Sequence, residues 1–174
     1  MNRIHVVGGG GHGRDIAGVL GGWFGEFYDD DPSRGRPISD LAGHFLIGVN
    51  DPTVRAELAA RVACECPMAL PWHDGSFAWP LSWLHRTVRY GRHVHVNAGA
   101  TVSQDVILGD FVTISPGAHV CGDVTVGDRV NIGAGAVVKN LVTIGDDVTI
   151  GCGAAVVADI PDGLTVAGVP ARPL

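Results

Sequence analysis

The sequence predicts a Rossmann-like α/β half domain at residues 1–72 and a parallel β-helix at residues 73–174. Two observations predict the first domain: a β-branched run that ends in a glycine cluster, and strands that then alternate with helices. A third observation predicts the second domain, because aliphatic residues recur every six positions through the C-terminal half.

Composition narrows the class of protein. The chain has 174 residues, of which 46% are hydrophobic and 17% charged, so it can form real cores. A net charge of −6 without a Lys/Arg run argues against a nucleic-acid binder. We expect no membrane span and no signal peptide, because no apolar run is long enough.

Cysteine spacing bears on metal binding and on the compartment. The four cysteines show no paired CxxC spacing, and Cys64-x-Cys66 lacks a second ligand pair. We therefore predict no metal site and interpret the cysteines as reduced thiols of a cytoplasmic protein.

The first strand is predicted at Arg3–Val7, and the glycines after it predict a turn into a helix. Gly8, Gly10 and Gly13 have the G-x-G-x-x-G spacing, in which glycines let the backbone approach a phosphate at a helix N-terminus. His12 lies inside this loop and could reach a phosphate or ribose. A glycine-rich turn that binds nothing fits the same pattern.

The next elements complete half of a dinucleotide-binding fold. Glu26–Asp31 predicts a second strand that ends in acids, which typically bind a ribose hydroxyl, although a solvated turn is the alternative. His44–Asn50 predicts a third strand. A helix then follows, with Asp51 as N-cap and Pro52 at the first helical position. This pattern has room for one nucleotide.

The six-residue spacing in the second half is unbroken from Val96 to Val156. The period excludes a helix, and each hexad can hold one short strand with two inward residues and then a turn. Three strands close a triangular coil, so residues 18 apart should stack in register. The inward aliphatic residues are Val96, Val102, Leu108, Ile114, Val120, Val126, Ile132, Val138, Ile144, Ile150 and Val156.

Together with "VVGGGGHGRD", "FYDDD", "LIGVNDPTVR" and "VAGVPARPL", in that order, the hexads resemble the bacterial nucleotide-sugar acetyltransferases. This family includes sialic acid O-acetyltransferases and UDP- or GDP-amino-sugar N-acetyltransferases, which are hexapeptide-repeat acyltransferases with a left-handed β-helix. The resemblance is weakest from Cys64 to Arg92. It implies a homotrimer, with acetyl-CoA as co-substrate between adjacent β-helices and a nucleotide-linked amino sugar as acceptor.

The resemblance also implies roles for particular residues. In the first domain, the residues implied to cradle phosphate or ribose and to meet ribose or base are Gly10, Gly11, His12, Gly13, Asp29 and Asp30. In the second, the residues implied to stabilise the oxyanion or to contact acetyl-CoA are Gly122, Ala134, Cys152, Gly153, Ala171 and Arg172.

The sequence departs from the family at the general base, where a histidine followed by an acid is expected. Gln104 precedes Asp105 instead, and an amide cannot accept a proton. Thr113 replaces a second histidine that is often present. Gly122 follows Gln104 by 18 residues, so we expect the two to stack.

Three interpretations stay open. Catalysis can proceed without a base at position 104, with Asp105 positioning the acceptor or acting as a weak base. Another histidine can serve, and His119 is a better candidate than His85, His93 or His95. The chain can also be a non-catalytic homologue that binds a nucleotide sugar or acts as a scaffold.

A rival function on the same fold is a metal-dependent carbonic anhydrase, which needs three histidines at a subunit interface. His93, His95 and His119 do not fall in one stacked column, so we do not expect this site.

Overall fold

The computed structural model describes residues 4–20, 24–37, 44–61, 76–79 and 81–174. The chain divides into two compact units, Met1–Ser76 and Phe77–Leu174. The boundary predicted after residue 72, and with it Cys64 and Cys66, lies outside the described residues.

The first unit is a small parallel sheet with two helices. Its elements are β1 (Ile4–Val7), α1 (Gly11–Leu20), β2 (Phe24–Tyr28), β3 (His44–Ile47) and α2 (Pro52–Arg61). The sheet order is β2-β1-β3, so the first strand is central, as in doubly wound folds. Val7, Tyr28 and Ile47 form its buried core. Neither of the described helices is long and apolar enough to cross a membrane.

Two sets of local hydrogen bonds hold the start of α2. Asp51 Oδ1 accepts two backbone N–H groups of the first turn, at 2.9 and 3.0 Å, which confirms the predicted N-cap. Arg55 is buried, and its Nη1 donates to the carbonyls of Val49 and Asn50 at 2.8 and 3.1 Å. Burial lowers the pKa of this guanidinium to about 9.

The second unit consists of short strands in three parallel sheets. The strands of the first face are β4 (Phe77–Ala78), β7 (His95–Val96), β10 (Thr113–Ile114), β13 (Asn131–Ile132), β16 (Thr149–Ile150) and β18 (Thr165–Ala167). Those of the second face are β5 (Trp83–Leu84), β8 (Thr101–Val102), β11 (His119–Val120), β14 (Val137–Val138) and β17 (Ala155–Val156). Those of the third face are β6 (Arg89–Tyr90), β9 (Ile107–Leu108), β12 (Thr125–Val126) and β15 (Thr143–Ile144).

The pairing register confirms the predicted coil of 18 residues. Thr101 pairs with His119 and Val120 with Val138, and the other faces follow the same rule. The predicted inward aliphatic residues, and the residue two before each, are all buried and form one continuous core. The parallel β-helix is therefore as predicted.

The β-helix begins earlier than the aliphatic spacing alone indicated, and it ends irregularly. Ala78, Leu84 and Tyr90 continue the six-residue spacing backwards and pack against the core. At the other end Ile160 pairs with Ile144, so the last coil is two residues short. The chain then turns back as β19 (Arg172–Pro173), which is antiparallel to β18.

Three corners join the faces, and each carries a left-handed residue in successive coils. The turn between the second and third faces, hereafter the Gln104 corner, has Asp105, Asp123 and Leu141 at φ 57°, 60° and 64°. The turn between the first and second faces, the Ala134 corner, has glycine at this place from Gly99 to Gly153. The turn between the third and first faces, the Asp110 corner, has His93, Phe111, Arg129 and Asp147.

A ladder of aspartates holds the Asp110 corner. The carboxylate of each aspartate accepts the backbone N–H of the residue one coil earlier, at 2.8 to 2.9 Å. A side chain at Gly109 would collide with the carboxylate of Asp128, so the glycine before the aspartate is required. The aspartates of this ladder are Asp110, Asp128, Asp146 and Asp162.

Candidate functional site

Gln104 and Gly122 are in contact at the Gln104 corner. A Cβ added to Gly122 would collide with Nε2 of Gln104 and lie 2.7 Å from its Cδ. The Asp123 N–H also donates to the Gln104 carbonyl at 3.0 Å, which ties the two coils together. The side-chain amide of Gln104 therefore lies against the backbone of Gly122, as the 18-residue spacing predicted.

Gln104 and Gly122 present hydrogen-bond donors at this corner, where a histidine would present a base. The Gln104 amide carries two N–H donors and a carbonyl oxygen, and it holds no titratable proton. Within the described residues, the N–H groups of Cys121 and Asp123 bond to backbone carbonyls, whereas no hydrogen bond from the Gly122 N–H is present. A substrate carbonyl oxygen is the kind of acceptor that these free donors can bind.

Beneath Asp105 lies a chain of side-chain hydrogen bonds. The Asp105 N–H donates to Thr87 Oγ1 at 2.9 Å, and this hydroxyl lies 2.9 Å from Nδ1 of His85. An open cleft of about 600 Å³ adjoins this chain, and the residues that line it are Arg86, Thr87, Val88, Arg89, Asp105 and Ile107.

Of the candidate histidines, His85 is linked to Asp105 through Thr87 at the Gln104 corner, whereas His119 lies away from the contact between Gln104 and Gly122. His119 is exposed on the second face with its Nδ1 2.8 Å from Thr101 Oγ1. His119 precedes Gly122 by three positions, which is about 10 Å along an extended chain.

The remaining histidines occupy other surroundings. His95 is completely buried, and the ring of His93 stacks on Phe111 with a centroid distance of 5.1 Å. Across the described residues, no group of three His, Cys, Asp or Glu side chains is arranged to hold a metal ion.

The residues implied to contact acetyl-CoA gather at and near the Ala134 corner. Ala134 and Cys152 are exposed and lie one coil apart, where the Gly153 N–H donates to the Ala134 carbonyl at 2.8 Å. No atom lies within 4 Å of where a Cβ of Gly153 would stand, so this edge is open to a slender ligand. Cys121 and Cys152 are both free thiols.

The C-terminal segment lies beside this edge. The Ala171 N–H donates to the Ala155 carbonyl at 2.8 Å, and Arg172 Nη1 donates to the Ala171 carbonyl at 2.8 Å. Ala171 and Arg172 also line a cavity of about 150 Å³.

The two corners stand at opposite ends of the second face. Within one coil, Ala134 opens the face and Asn140 closes it next to the Gln104 corner. Within one chain, the whole width of the second face therefore lies between the Ala134 corner and the contact of Gln104 with Gly122.

In the first unit, the glycine loop lies directly before α1. A Cβ at Gly13 would collide with the Gly8 carbonyl, and a Cβ at Gly9 with that of Arg34, so the chain packs tightly there. Gly10 and Gly11, by contrast, face open space. The His12 side chain lies outside what the structure describes.

The acids after β2 have partners within the chain. Asp29 Oδ2 accepts the Gly9 N–H at 2.7 Å, so this carboxylate supports the glycine loop, a role that sequence reasoning missed. Asp30 forms two hydrogen bonds with the Arg61 guanidinium, at 2.7 and 2.8 Å, and these bonds lower the pKa of Asp30.

Comparisons with a protein-family model and with solved structures show which known proteins this chain is similar to. A family model described as bacterial transferase hexapeptide (six repeats) matches residues 105–140. WeeI from Acinetobacter baumannii AYE is 28% identical, with 100% of both chains covered and a TM-score of 0.84. The acetyltransferase domain of PglB from Neisseria gonorrhoeae FA1090, in complex with acetyl coenzyme A, is 28% identical, with 100% of both chains covered and a TM-score of 0.77.

PerB from Caulobacter crescentus, in complex with CoA and GDP-perosamine, is 26% identical and has a TM-score of 0.79. The alignment covers 100% of this chain and 98% of PerB. A comparison with curated proteins finds no match.

The coiled fold and the repeat match define the chain as a hexapeptide-repeat acyltransferase with a left-handed β-helix. Along its whole length the chain is similar to the PglB acetyltransferase domain, PerB and WeeI, and this similarity supports a relation to the bacterial nucleotide-sugar acetyltransferases.

Proposed function

We propose that the chain transfers the acetyl group of acetyl-CoA to an amino or hydroxyl group of a nucleotide-linked sugar for bacterial glycan biosynthesis. The observation that carries this proposal is the contact between Gln104 and Gly122, in a chain that aligns along its whole length with sugar acetyltransferases. PerB binds CoA and GDP-perosamine, and the PglB domain binds acetyl coenzyme A. The open edge at Gly153 and Ala134 fits a slender arm such as that of CoA.

Acetyl-CoA supplies an activated acetyl group as a thioester, with the CoA thiol as leaving group. In the proposed reaction an acceptor amine forms the new C–N bond while the C–S bond breaks, and the amine proton leaves to solvent or to the thiol. Gln104 donates hydrogen bonds that orient the reactants, and the Gly122 N–H stabilises the oxyanion. Asp105 positions the acceptor or takes its proton as a weak base.

The acceptor nucleotide is expected on the first unit. Gly10 and Gly11 offer open backbone at the start of α1, where phosphate is stabilised by unpaired N–H groups. We further propose a homotrimer in the cytoplasm, in which acetyl-CoA lies between neighbouring β-helices. The separation of the Ala134 and Gln104 corners in one chain supports this, because a second copy can bring them together.

Thiol release from acetyl-CoA, measured with a panel of nucleotide-linked 4-amino sugars, tests the proposal. Turnover on at least one of them is expected. No turnover on any, together with no binding of CoA, would overturn it and favour a non-catalytic nucleotide-sugar-binding protein or scaffold.

Two variants then separate the mechanisms. If Gln104 only orients the reactants, Gln104→His introduces a base and should raise kcat up to the 10²–10⁴-fold range of general base catalysis. If His119 is the base, His119→Ala should abolish turnover while Gln104→His changes it little. Thr101→Val is the matched control, since it removes the His119 hydrogen bond and keeps the ring.

A further inference from the structure

Two arginines in the first coil lie beside the Gln104 corner and differ from the other arginines of the β-helix. Arg92 and Arg129 form ion pairs with Asp110 and Asp147, at 2.7 and 2.6 Å. Arg86 and Arg89 are exposed, and neither side chain forms an ion pair or hydrogen bond within the described part of the chain. Their positive charge is therefore available to a ligand.

The register places both arginines one coil from the reaction centre. Leu84 pairs with Val102, which sets Arg86 beneath Gln104, and Arg89 pairs directly with Ile107. Adjacent strands are about 4.8 Å apart. Both arginines line the same open cleft as Asp105.

The turn that carries Arg86 is held by other residues. Its ends are joined by the hydrogen bond from the Val88 N–H to the His85 carbonyl, at 3.0 Å. In the coils above, Asp123 and Leu141 at this corner donate to a backbone carbonyl, but Asp105 donates to Thr87 Oγ1 instead. The Arg86 side chain takes no part in these bonds, so the fold does not explain why it is there.

The cleft contains both negative and positive side chains. The Asp105 carboxylate lies next to Gln104, and two guanidinium groups lie one coil further towards the start of the β-helix. A matching ligand carries a cationic group and, about one sugar ring away, an anionic group. An amino sugar joined through its anomeric carbon to phosphate has this arrangement.

We infer that Arg86 and Arg89 bind the phosphate attached to the acceptor sugar, while Asp105 faces the sugar amine beside Gln104. This inference rests on the proposed function. Guanidinium groups bind phosphate oxygens through paired, charge-assisted hydrogen bonds, so the two arginines fix the sugar at one end. The amine is then presented to the corner in one orientation, which partly compensates for the absence of a side-chain base.

Steady-state kinetics of Arg86→Gln, Arg89→Gln and the double variant test the inference. Each single change should raise KM for the nucleotide-linked amino sugar roughly tenfold, and the double change more, because charge-assisted hydrogen bonds are lost. KM for acetyl-CoA should not change. Arg129→Gln is the matched control, since it removes the same charge at the Asp110 corner, away from the cleft. An unchanged KM for the sugar in the double variant overturns the inference.

Titration with inorganic pyrophosphate, followed by calorimetry, provides a readout that does not need turnover. The wild type and Arg129→Gln should bind pyrophosphate more strongly, or at one site more, than the double variant. Equal binding by all three proteins overturns the inference. If that difference is present but no acceptor is acetylated, the proposed function fails and the anion site stands.

Discussion

Gly122 is buried, and the atoms with which an added Cβ would collide belong to the flexible end of the Gln104 side chain, while the nearest backbone atom, the Gln104 carbonyl oxygen, would lie 3.3 Å away. Its φ is not among the left-handed values of the unit, so alanine is compatible with its backbone. The glycine thus keeps space for the Gln104 amide, and only a small shift of that amide would relieve an added methyl group. A glycine that its own backbone conformation does not require agrees with the proposed role of Gly122 in the site.

We expect Gly122→Ala to lower kcat/KM for acetyl transfer by about 10²-fold, because the displaced Gln104 amide loses its alignment with the Gly122 N–H. Stability should change by less than about 1 kcal/mol, since Gln104 can move aside. Steady-state rates and urea denaturation measure the two effects.

A double-mutant cycle with Gln104→Ala sharpens this prediction. Once the glutamine side chain has been removed, Gly122→Ala has nothing to displace and should cost little further activity. Additive losses in the double variant would show that the glycine acts independently of Gln104.

Among the structural elements, the aspartate ladder of the Asp110 corner links one coil to the next. Partial burial acts to raise the pKa of Asp110, but hydrogen bonds from the Arg92 backbone and guanidinium outweigh it, and the pKa is lowered. A carboxyl whose pKa is lower in the folded state stabilises the fold above its unfolded pKa of about 3.9. That stabilisation is lost as the pH falls through the folded pKa.

Asp110→Asn should therefore be less stable than the wild type at pH 7, and the difference should be smaller at pH 3. Urea denaturation at both pH values measures it. Asp123→Asn, an exposed carboxyl at the Gln104 corner, is the control and should show little difference at either pH. A constant difference for Asp110→Asn would mean that its charge is not involved.

An element could be predicted well when the sequence signal for it lies within a few residues of the element itself. The six-residue period is local, so the strands from Val96 to Val156 and their inward residues were predicted correctly. The predicted β-helix domain includes the first coil, but the aliphatic spacing identifies the coils only from Val96, because Ala78 and Tyr90 occupy inward positions with residues that are not branched aliphatics. Three periods of six residues, counted back from Gln104, lead to Arg86. The sequence alone therefore indicates that Arg86 lies next to Gln104 in the preceding coil.

Contacts between distant segments were not predictable in the same way. The resemblance implies that Asp29 meets ribose or base, and its carboxylate also accepts the Gly9 N–H, 20 residues away in sequence. Nothing in the local pattern distinguishes an acid that binds a ribose from one that binds a backbone amide. Only the pairing of β1 with β2 brings these residues together.

For the whole molecule, the separation of the Gln104 and Ala134 corners predicts that each active site is shared between two copies of the chain. If each site combines the Gln104 corner of one copy with the Ala134 corner of another, two differently inactivated chains can restore activity. Gly122→Trp blocks the first corner, and Ala134→Trp blocks the second.

In the proposed homotrimer, random mixing of these two variants should recover about a quarter of wild-type activity, because every mixed cyclic trimer then contains one intact site. The measurement is acetyl transfer after coexpression, with each variant alone as control and with the assembled mass determined by light scattering. Recovery no greater than the sum of the two separate variants would place the whole site within one chain.

The antiparallel strand β19 has a consequence for solubility. A stack of parallel coils ends in a row of unpaired backbone amides and carbonyls, which is a template for a second copy to add end to end. Here β19 pairs with β18, and the Leu174 N–H donates to the Thr165 carbonyl at 3.0 Å, so part of that edge is already occupied by strand of opposite direction. The shortened last coil further spoils the match to an incoming coil of regular length. The strand pairing that stacks one coil on the next therefore stops at β19, and copies of the chain do not join end to end into a fibre.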